Sequence, residues 1–423
     1  MGTIYVMFYE THFCRYVLWL YNSWLTGCAS GFCSNECALE KVVGNLLRFV
    51  FHVLGQRRCK FQWRTALLKI PKRGEIMSVS KVIRQLLFAV TFTAGLLLGG
   101  IQPVKADSAE VKGATKATRK IRENFDGVFK GKTIAYLPIT LGLPLTNIWN
   151  HVIKKEADEL GMKFIMRDPN FDPAVMTQAM SAFIAERPDV LVVQNPSIQL
   201  LSKLSKKAEK AGIHVIQINM ISNYQTSAFV GADFYRIGVL TARDIVKECG
   251  KGSGKSGKIA FVQGTTTSSS NIEVLKGAMS IFNQHPEIKM VSNQPANWNA
   301  NKAREITATV LKQHPDLCAT MGVWGIMQLG AGQPIKEAGL TGKVLNYSSG
   351  GGPEIICKSI KAGLMDKYWS YSAELQGHDI MSTAKLILQT GLKPSQLRIA
   401  LFSRLKVLTK ANADNACWKI TAK

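Results

Sequence analysis

The stretch with most chemical promise is Gly252-Ser-Gly254-Lys255-Ser256, whose glycines, lysine and hydroxyl match the end of a phosphate-cradling loop. A complete loop of that kind needs glycine at position 249 and must lead from a strand into a helix. Cys249 stands there instead, and the stretch follows a helical pattern and precedes the β-rich run Lys258-Ile-Ala-Phe-Val262. A flexible connection between elements is the better reading. Ser268, Ser269 and Ser270 offer hydroxyls, but no Gly-x-Ser-x-Gly elbow holds them and none of the seven histidines stands in an evident triad arrangement. They read as a helix start, where Ser or Asn caps free backbone N–H groups. The same hydroxyl and N–H groups can also face a cleft. Cys28, Cys33 and Cys37 loosely imitate a metal or iron–sulfur spacing without fitting a ligation pattern. No acid/base pair, metal set or cofactor motif emerges, so neither catalysis nor a cofactor is expected.

The net charge of +24 suggests a polyanionic partner, but its distribution argues otherwise. Residues 107–423 hold 40 basic against 25 acidic side chains, scattered on stretches such as Lys203-Leu-Ser-Lys206-Lys207-Ala-Glu-Lys210. Basic residues interleaved with Leu and Ala mark a solvated helix face. With neither a helix-turn-helix signature nor a Cys/His finger, no nucleic-acid partner is expected.

After Met77, Lys81 and Arg84 lead into the apolar run Leu86–Leu98 and then Val104-Lys-Ala106, a small-residue cleavage site before Asp107. This is the layout of a secretory signal peptide over residues 77–106, with an apolar run too short to favour a membrane span. Residues 1–76 hold 13 aromatics, against 23 in the other 347 residues, and show no sustained period. Arg73-Gly-Glu75 can be encoded by purine-rich codons resembling a ribosome-binding site. Residues 1–76 are therefore expected to be an upstream leader that is not part of the product, with a membrane-associated extension as the rival reading. Residues 107–122, polar and rich in Lys and Ala, are expected to be loose.

The elements that must position any site begin after Lys132. At 423 residues the chain can bury two sizeable cores. Short β-rich runs (Thr133–Leu137, Lys163–Met166, Val190–Val193, His214–Ile218) alternate with helical stretches at 148–160, 174–186 and 200–211. The pattern restarts at Lys258–Val262, Ile288–Val291, Ala319–Met321 and Val344–Tyr347. Two successive α/β units with parallel sheets follow. Ligands of such sheets bind beyond the carboxyl ends of the strands. Those ends carry Thr140, Asn195, Asn219, Gly264 to Ser270, Trp324 and Ser348-Ser349-Gly350.

Residues 132–418 resemble the periplasmic sugar-binding proteins of ABC importers, above all the ribose-binding protein family. The resemblance rests on Thr133-Ile-Ala, Pro144 ahead of Lys155-Glu-Ala-Asp158, Val192-Val-Gln-Asn195-Pro196, Val262-Gln-Gly264, His314-Pro-Asp316 and Leu408-Thr-Lys-Ala-Asn-Ala-Asp414. It implies two Rossmann-like lobes joined by a three-crossing hinge, the type I periplasmic binding protein fold. The first lobe would comprise 107–232 and 372–403, the second 233–371 and 404–423. It also implies a monomer that binds a sugar or polyol in the periplasm and delivers it to an ABC permease. The alternatives are a sensor component presenting its ligand to a membrane receptor, or a binder of a quaternary amine caged by Trp298, Trp324 and Tyr371.

The resemblance places Asn195 and Asn219 against ligand hydroxyls, which suit an amide that both donates and accepts. It places Trp298 over the ligand; the strand-end residues Thr140, Trp324 (where the family usually has Asn) and Ser349, with Tyr371, complete the expected site. Several positions depart from the family: Val274 stands for an Arg, Ser349 or Gly350 for an Asp, and Asn219-Met220 for Asp-Arg. The charged clamp on a sugar ring is largely missing. Export makes disulfides possible among Cys249, Cys318, Cys357 and Cys417, with three complete pairings. Cys357 with Cys417 is favoured, because both should lie in the second lobe.

Exported protein is expected to begin within a residue or two of Asp107. N-terminal sequencing of periplasmic material checks this, and peptides from residues 1–76 in the mature product would refute the leader reading.

Overall fold

Apolar runs that alternate with amphipathic stretches assemble into two six-stranded sheets. The computed structural model describes residues 108–414 and 417–418, so the expected leader and signal peptide lie outside the described residues. The first sheet holds β1 (Thr133–Leu137), β2 (Lys163–Met166), β3 (Val190–Val193), β4 (His214–Ile218), β5 (Ala228–Gly231) and β11 (Ile399–Phe402). Its order is β11-β5-β4-β3-β1-β2, parallel throughout. The second holds β6 (Lys258–Gln263), β7 (Lys289–Pro295), β8 (Ala319–Gly322), β9 (Leu345–Gly350), β10 (Lys367–Ser370) and β12 (Lys406–Thr409). Its order is β12-β10-β9-β8-β6-β7, with β12 antiparallel to β10. Strands β3 and β4 are buried along their whole length, as parallel strands covered on both faces must be.

Helices α1 (Ser108–Phe129), α2 (Pro144–Glu159), α3 (Pro173–Glu186), α4 (Ser202–Lys210) and α10 (Ala373–Thr390) pack with the first sheet. Helices α5 (Phe234–Cys249), α6 (Ser269–Phe282), α7 (Ala300–Gln313), α8 (Gly325–Glu337) and α9 (Glu354–Lys361) pack with the second. The chain passes between the sheets three times: from β5 to α5, from β10 to α10 and from β11 to β12. The two-lobed type I fold expected from the sequence is the one observed.

Some local expectations change. The segment expected to be loose over 107–122 is the body of α1. Its Ala, Lys, Arg and Glu residues favour helix, and an Arg122–Asp126 pair supports it at 3.5 Å. Phe129, fully buried, anchors its end and meets Phe125 edge-on at 4.8 Å between ring centroids. Gly252–Ser256 is an irregular connection from α5 to β6, as read from the sequence. Ser268 caps α6, its hydroxyl accepting from Asn271 N at 3.3 Å.

Among the described residues, two disulfides join elements of the second lobe. Cys249, closing α5, pairs with Cys318 beside β8, and Cys357 of α9 pairs with Cys417. The second is the pairing favoured from the sequence. It holds the tail so that Trp418 N donates to Gly352 O at 3.2 Å and its indole N–H donates to Gly351 O.

Peptide mapping without reductant is expected to recover both bridges, whereas four free thiols in denatured, oxidised protein would exclude them. Replacing Cys357 and Cys417 by Ser is expected to lower stability by roughly 2–4 kcal/mol, measured by denaturant titration.

Candidate functional site

Asn219 follows β4 with φ of +54°, a left-handed conformation that Asn tolerates better than most residues. Its amide lies where the three crossings converge. Oδ1 accepts from Ala232 N at 2.8 Å and from Gln376 Nε2 at 3.0 Å, while Nδ2 donates to Gln376 Oε1 at 3.2 Å. Gln376 Nε2 also donates to Ser403 Oγ at 2.9 Å. Ala232, Gln376 and Ser403 lie at or beside the first, second and third crossings. All of these side chains are buried. Gly231 completes the packing, since a Cβ there would stand 2.8 Å from the Asn219 backbone.

Beside this junction a pocket of about 470 Å³, open to solvent, lies between the lobes. The first lobe contributes Ile139, Leu143, Leu145, Thr146, Phe171, Gln194, Asn219 and Met220; the second contributes Ser270, Trp298, Val323 and Trp324. Phe234 and Tyr371, at two of the crossings, close its floor and meet edge-on at 5.9 Å between centroids. Direct bonds bridge the lobes at its rim: Ile198 N donates to Thr267 O at 3.0 Å, and Ile221 N donates to Ser269 Oγ at 2.8 Å. The lobes are therefore drawn together over the pocket.

The second-lobe wall depends on unusual backbone. Asn297 and Trp298 both have positive φ (+51° and +65°), conformations rare for a bulky side chain and stored where surrounding structure over-determines them. This turn lays the Trp298 ring against Gly264, where a Cβ would come within 2.2 Å of the ring. Trp298 also meets Trp324 edge-on at 6.4 Å between centroids, an arrangement aromatic quadrupoles favour. A second strained pair, Asn170 and Phe171 (φ +47° and +62°), sets the half-exposed Phe171 on the opposite wall.

Among the described residues, no charged side chain lines the pocket. Among its polar groups, Thr146 Oγ1 donates to Leu143 O at 3.3 Å and Ser270 Oγ pairs with Ser268 Oγ at 3.3 Å. Gln194 Oε1 accepts from Ile139 N at 3.3 Å, and its Nε2 reaches only the Met220 sulfur, at 3.6 Å. The Tyr371 hydroxyl has no hydrogen-bond partner among the described residues, and burial pushes its pKa up, keeping it a neutral O–H. Among the described residues, no cluster of His, Cys, Asp or Glu is placed to hold a metal ion.

Of the seven residues expected at the site, Asn219, Trp298, Trp324 and Tyr371 line the pocket. Thr140, Asn195 and Ser349 do not, because their side chains turn back onto their own lobes. The Thr140 hydroxyl donates to Leu141 O at 2.9 Å, and the Ser349 hydroxyl donates to Val323 O at 2.7 Å. Asn195, fully buried, donates from Nδ2 to Gln217 Oε1 and Met220 O, both at 3.2 Å. Its neighbour Gln194 is the one that reaches the pocket, since consecutive side chains at a strand end point to opposite sides. Val274, which stands where the resemblance leads one to expect an Arg, is not among the pocket-lining residues. It packs under α5, with its carbonyl 2.1 Å from where a Gly238 Cβ would stand, and Ser270, one turn earlier, faces the pocket instead. Sequence reading named Ser270 only as part of a stretch that can face a cleft, and it missed Gln194, Phe171 and Phe234. The strand-end rule could have reached Gln194.

The model of the periplasmic binding protein domain matches residues 134–393. The chain is 29% identical over 177 residues to the D-allose-binding periplasmic protein of Escherichia coli, covering 40% of this chain and 55% of that protein. It is 26% identical over 208 residues to the ribose import binding protein of Bacillus subtilis, covering 49% and 66%. The chain thus aligns with between about half and two thirds of the length of these relatives. A galactofuranose binding protein superposes with a TM-score of 0.59 at 22% identity, covering 67% of this chain and 96% of that one. The Caulobacter myo-inositol binding protein does so with a TM-score of 0.60 at 22% identity, covering 67% and 95%.

Truncating Asn219 to Ala is expected to strand the Gln376 amide and Ala232 N–H in a buried place, costing about 1–3 kcal/mol of stability. Asn195→Ala is expected to lower the melting temperature of the unliganded protein while leaving ligand affinity unchanged. Calorimetric melting beside titration separates these effects, and a lost affinity with unchanged melting would return Asn195 to the pocket.

Proposed function

Because the chain belongs to the periplasmic binding protein family, a family of binding proteins rather than enzymes, we propose that it captures a small uncharged solute, a sugar or polyol, between its lobes. It acts as a monomer in the periplasm and hands the closed, loaded form to an ABC permease in the inner membrane. The observation that carries this reading is a pocket walled by both lobes beside a junction of three chain crossings, with interlobe hydrogen bonds at its rim. Such an arrangement couples ligand contact to hinge closure. Relatives and structural neighbours named for allose, ribose, arabinose and myo-inositol support the ligand class. An aromatic cage for a quaternary amine is less well supported, since among the described residues no carboxylate lines the pocket and the Trp298 ring lies on Gly264.

Titration of the exported protein with sugars, polyols and their deoxygenated analogues tests the reading. A member of the set is expected to bind, to be recovered chemically unchanged, and to reduce the radius of gyration by X-ray scattering. Trp298→Ala is expected to weaken that binding by about 2 kcal/mol or more. Binding by no member, or conversion of the bound one into product, would sink the proposal.

A further inference from the structure

We propose that the pocket selects neutral, sparsely hydroxylated ligands, deoxy sugars and short diols with two or three hydroxyl groups, over fully hydroxylated sugars. This rests on the interlobe pocket being the solute site and narrows what that site takes.

Among the described residues fourteen line it; ten of these are apolar or aromatic, and none is charged. Most of its polar capacity is already spent within the protein. The Asn219 amide is held by Ala232 and Gln376, with one N–H left over. Thr146 is bonded to Leu143 O, and Gln194 Oε1 to Ile139 N. What stays available is the hydroxyl of Tyr371, a residue 3% exposed, without a partner among the described residues, together with donor N–H groups: one of Asn219, the indoles of Trp298 and Trp324, and one of Gln194 that now faces only a thioether. Sulfur is a weak acceptor, so that N–H gains by turning to a ligand oxygen. Ser270, paired only with Ser268 at 3.3 Å, adds one more group.

Of these groups only the Tyr371 and Ser270 hydroxyls, with the second lone pair of Gln194 Oε1, can accept from a ligand O–H, which suits two or three ligand hydroxyls. A ring bearing five or six hydroxyls would bury several without partners, each weakening binding by roughly tenfold. Replacing those hydroxyls by hydrogen gives C–H surface, which Trp324, Met220, Leu143 and Val323 bury favourably. The charged groups that the family resemblance leads one to expect around a sugar ring are absent from the lining for the same reason.

The test uses pairs that share a carbon skeleton. cis-1,2-Cyclohexanediol and myo-inositol carry two and six hydroxyls on the same ring, and 2-deoxy-D-ribose differs from D-ribose by one. Calorimetric titration of the full exported chain is expected to show the cyclohexanediol binding at least tenfold more tightly than myo-inositol, and the deoxyribose more tightly than ribose. Tyr371→Phe is expected to weaken diol binding about tenfold. Tighter binding of myo-inositol or ribose would overturn this selectivity and leave the solute-binding reading standing. No binding by either pair, with a ligand found elsewhere in the wider set, would also overturn it alone. No binding by any member would overturn both. An unchanged diol affinity in Tyr371→Phe would remove the hydrogen-bond assignment on which the selectivity stands.

Discussion

The buried amide pair of Asn219 and Gln376 is the contact on which the rest of this molecule depends, because it holds the three chain crossings in one place. One side chain comes from the end of β4 and the other from the start of α10, 157 residues later. Between them they engage Ala232 N at the first crossing and Ser403 Oγ at the third. A buried amide left unpaired is costly, so each segment is fixed by the partners the other two supply. The same side chain of Asn219 that anchors the junction also forms part of the pocket wall. Contact with a solute and the geometry of the crossings are thereby linked through one residue.

Rigidity is distributed unevenly around that junction. The two disulfides among the described residues lie within the second lobe, one joining α5 to the edge of β8 and the other fastening the tail to α9. The fastened tail holds Gly351 and Gly352, and Gly351 lies against Leu145 of the first lobe and Ala373 beside the second crossing. The second lobe also carries the positive-φ turn that presents Trp298. A bulky residue keeps such a conformation only where its surroundings leave it no alternative, and the close fit on Gly264 supplies that constraint. Apart from the side chains at the crossings, the first lobe offers Phe171, half exposed on an irregular loop, and the side chains of Ile139, Leu143, Leu145, Thr146, Gln194 and Met220. One wall is thus pre-formed, and the other closes against it through the backbone groups of Ile198 and Ile221.

The chemistry available in this pocket is that of recognition. Its tyrosine is held neutral by burial, its serine is paired with a neighbouring serine, and its amides are mostly engaged by the protein. Aromatic and aliphatic walls with few oriented polar groups bind by excluding water from C–H surface and use hydrogen bonds to set orientation. An apolar lining of this kind distinguishes ligands chiefly by what they would leave unpaired.

The alternation of β-rich runs such as Val190–Val193 with amphipathic helices was enough to fix two parallel α/β units, because strand and helix periods are local properties of the chain. The Ser268 cap and the irregular loop at Gly252–Ser256 were legible for the same reason. Trp298, Trp324 and Tyr371 could be placed at the site from the resemblance and their positions at element ends. The orientation of single polar side chains was not legible. Asn195 and Gln194 are neighbours at one strand end, and only the packed structure decides that Asn195 turns to Gln217 while Gln194 reaches the pocket. The helix over Ser108–Phe129 likewise becomes definite because Phe129 finds a core. The polar strand-end residues could be named from the sequence, but whether each serves the ligand or the protein depended on partners far along the chain. Those partners, above all Gln376 for Asn219, are brought near only by the fold.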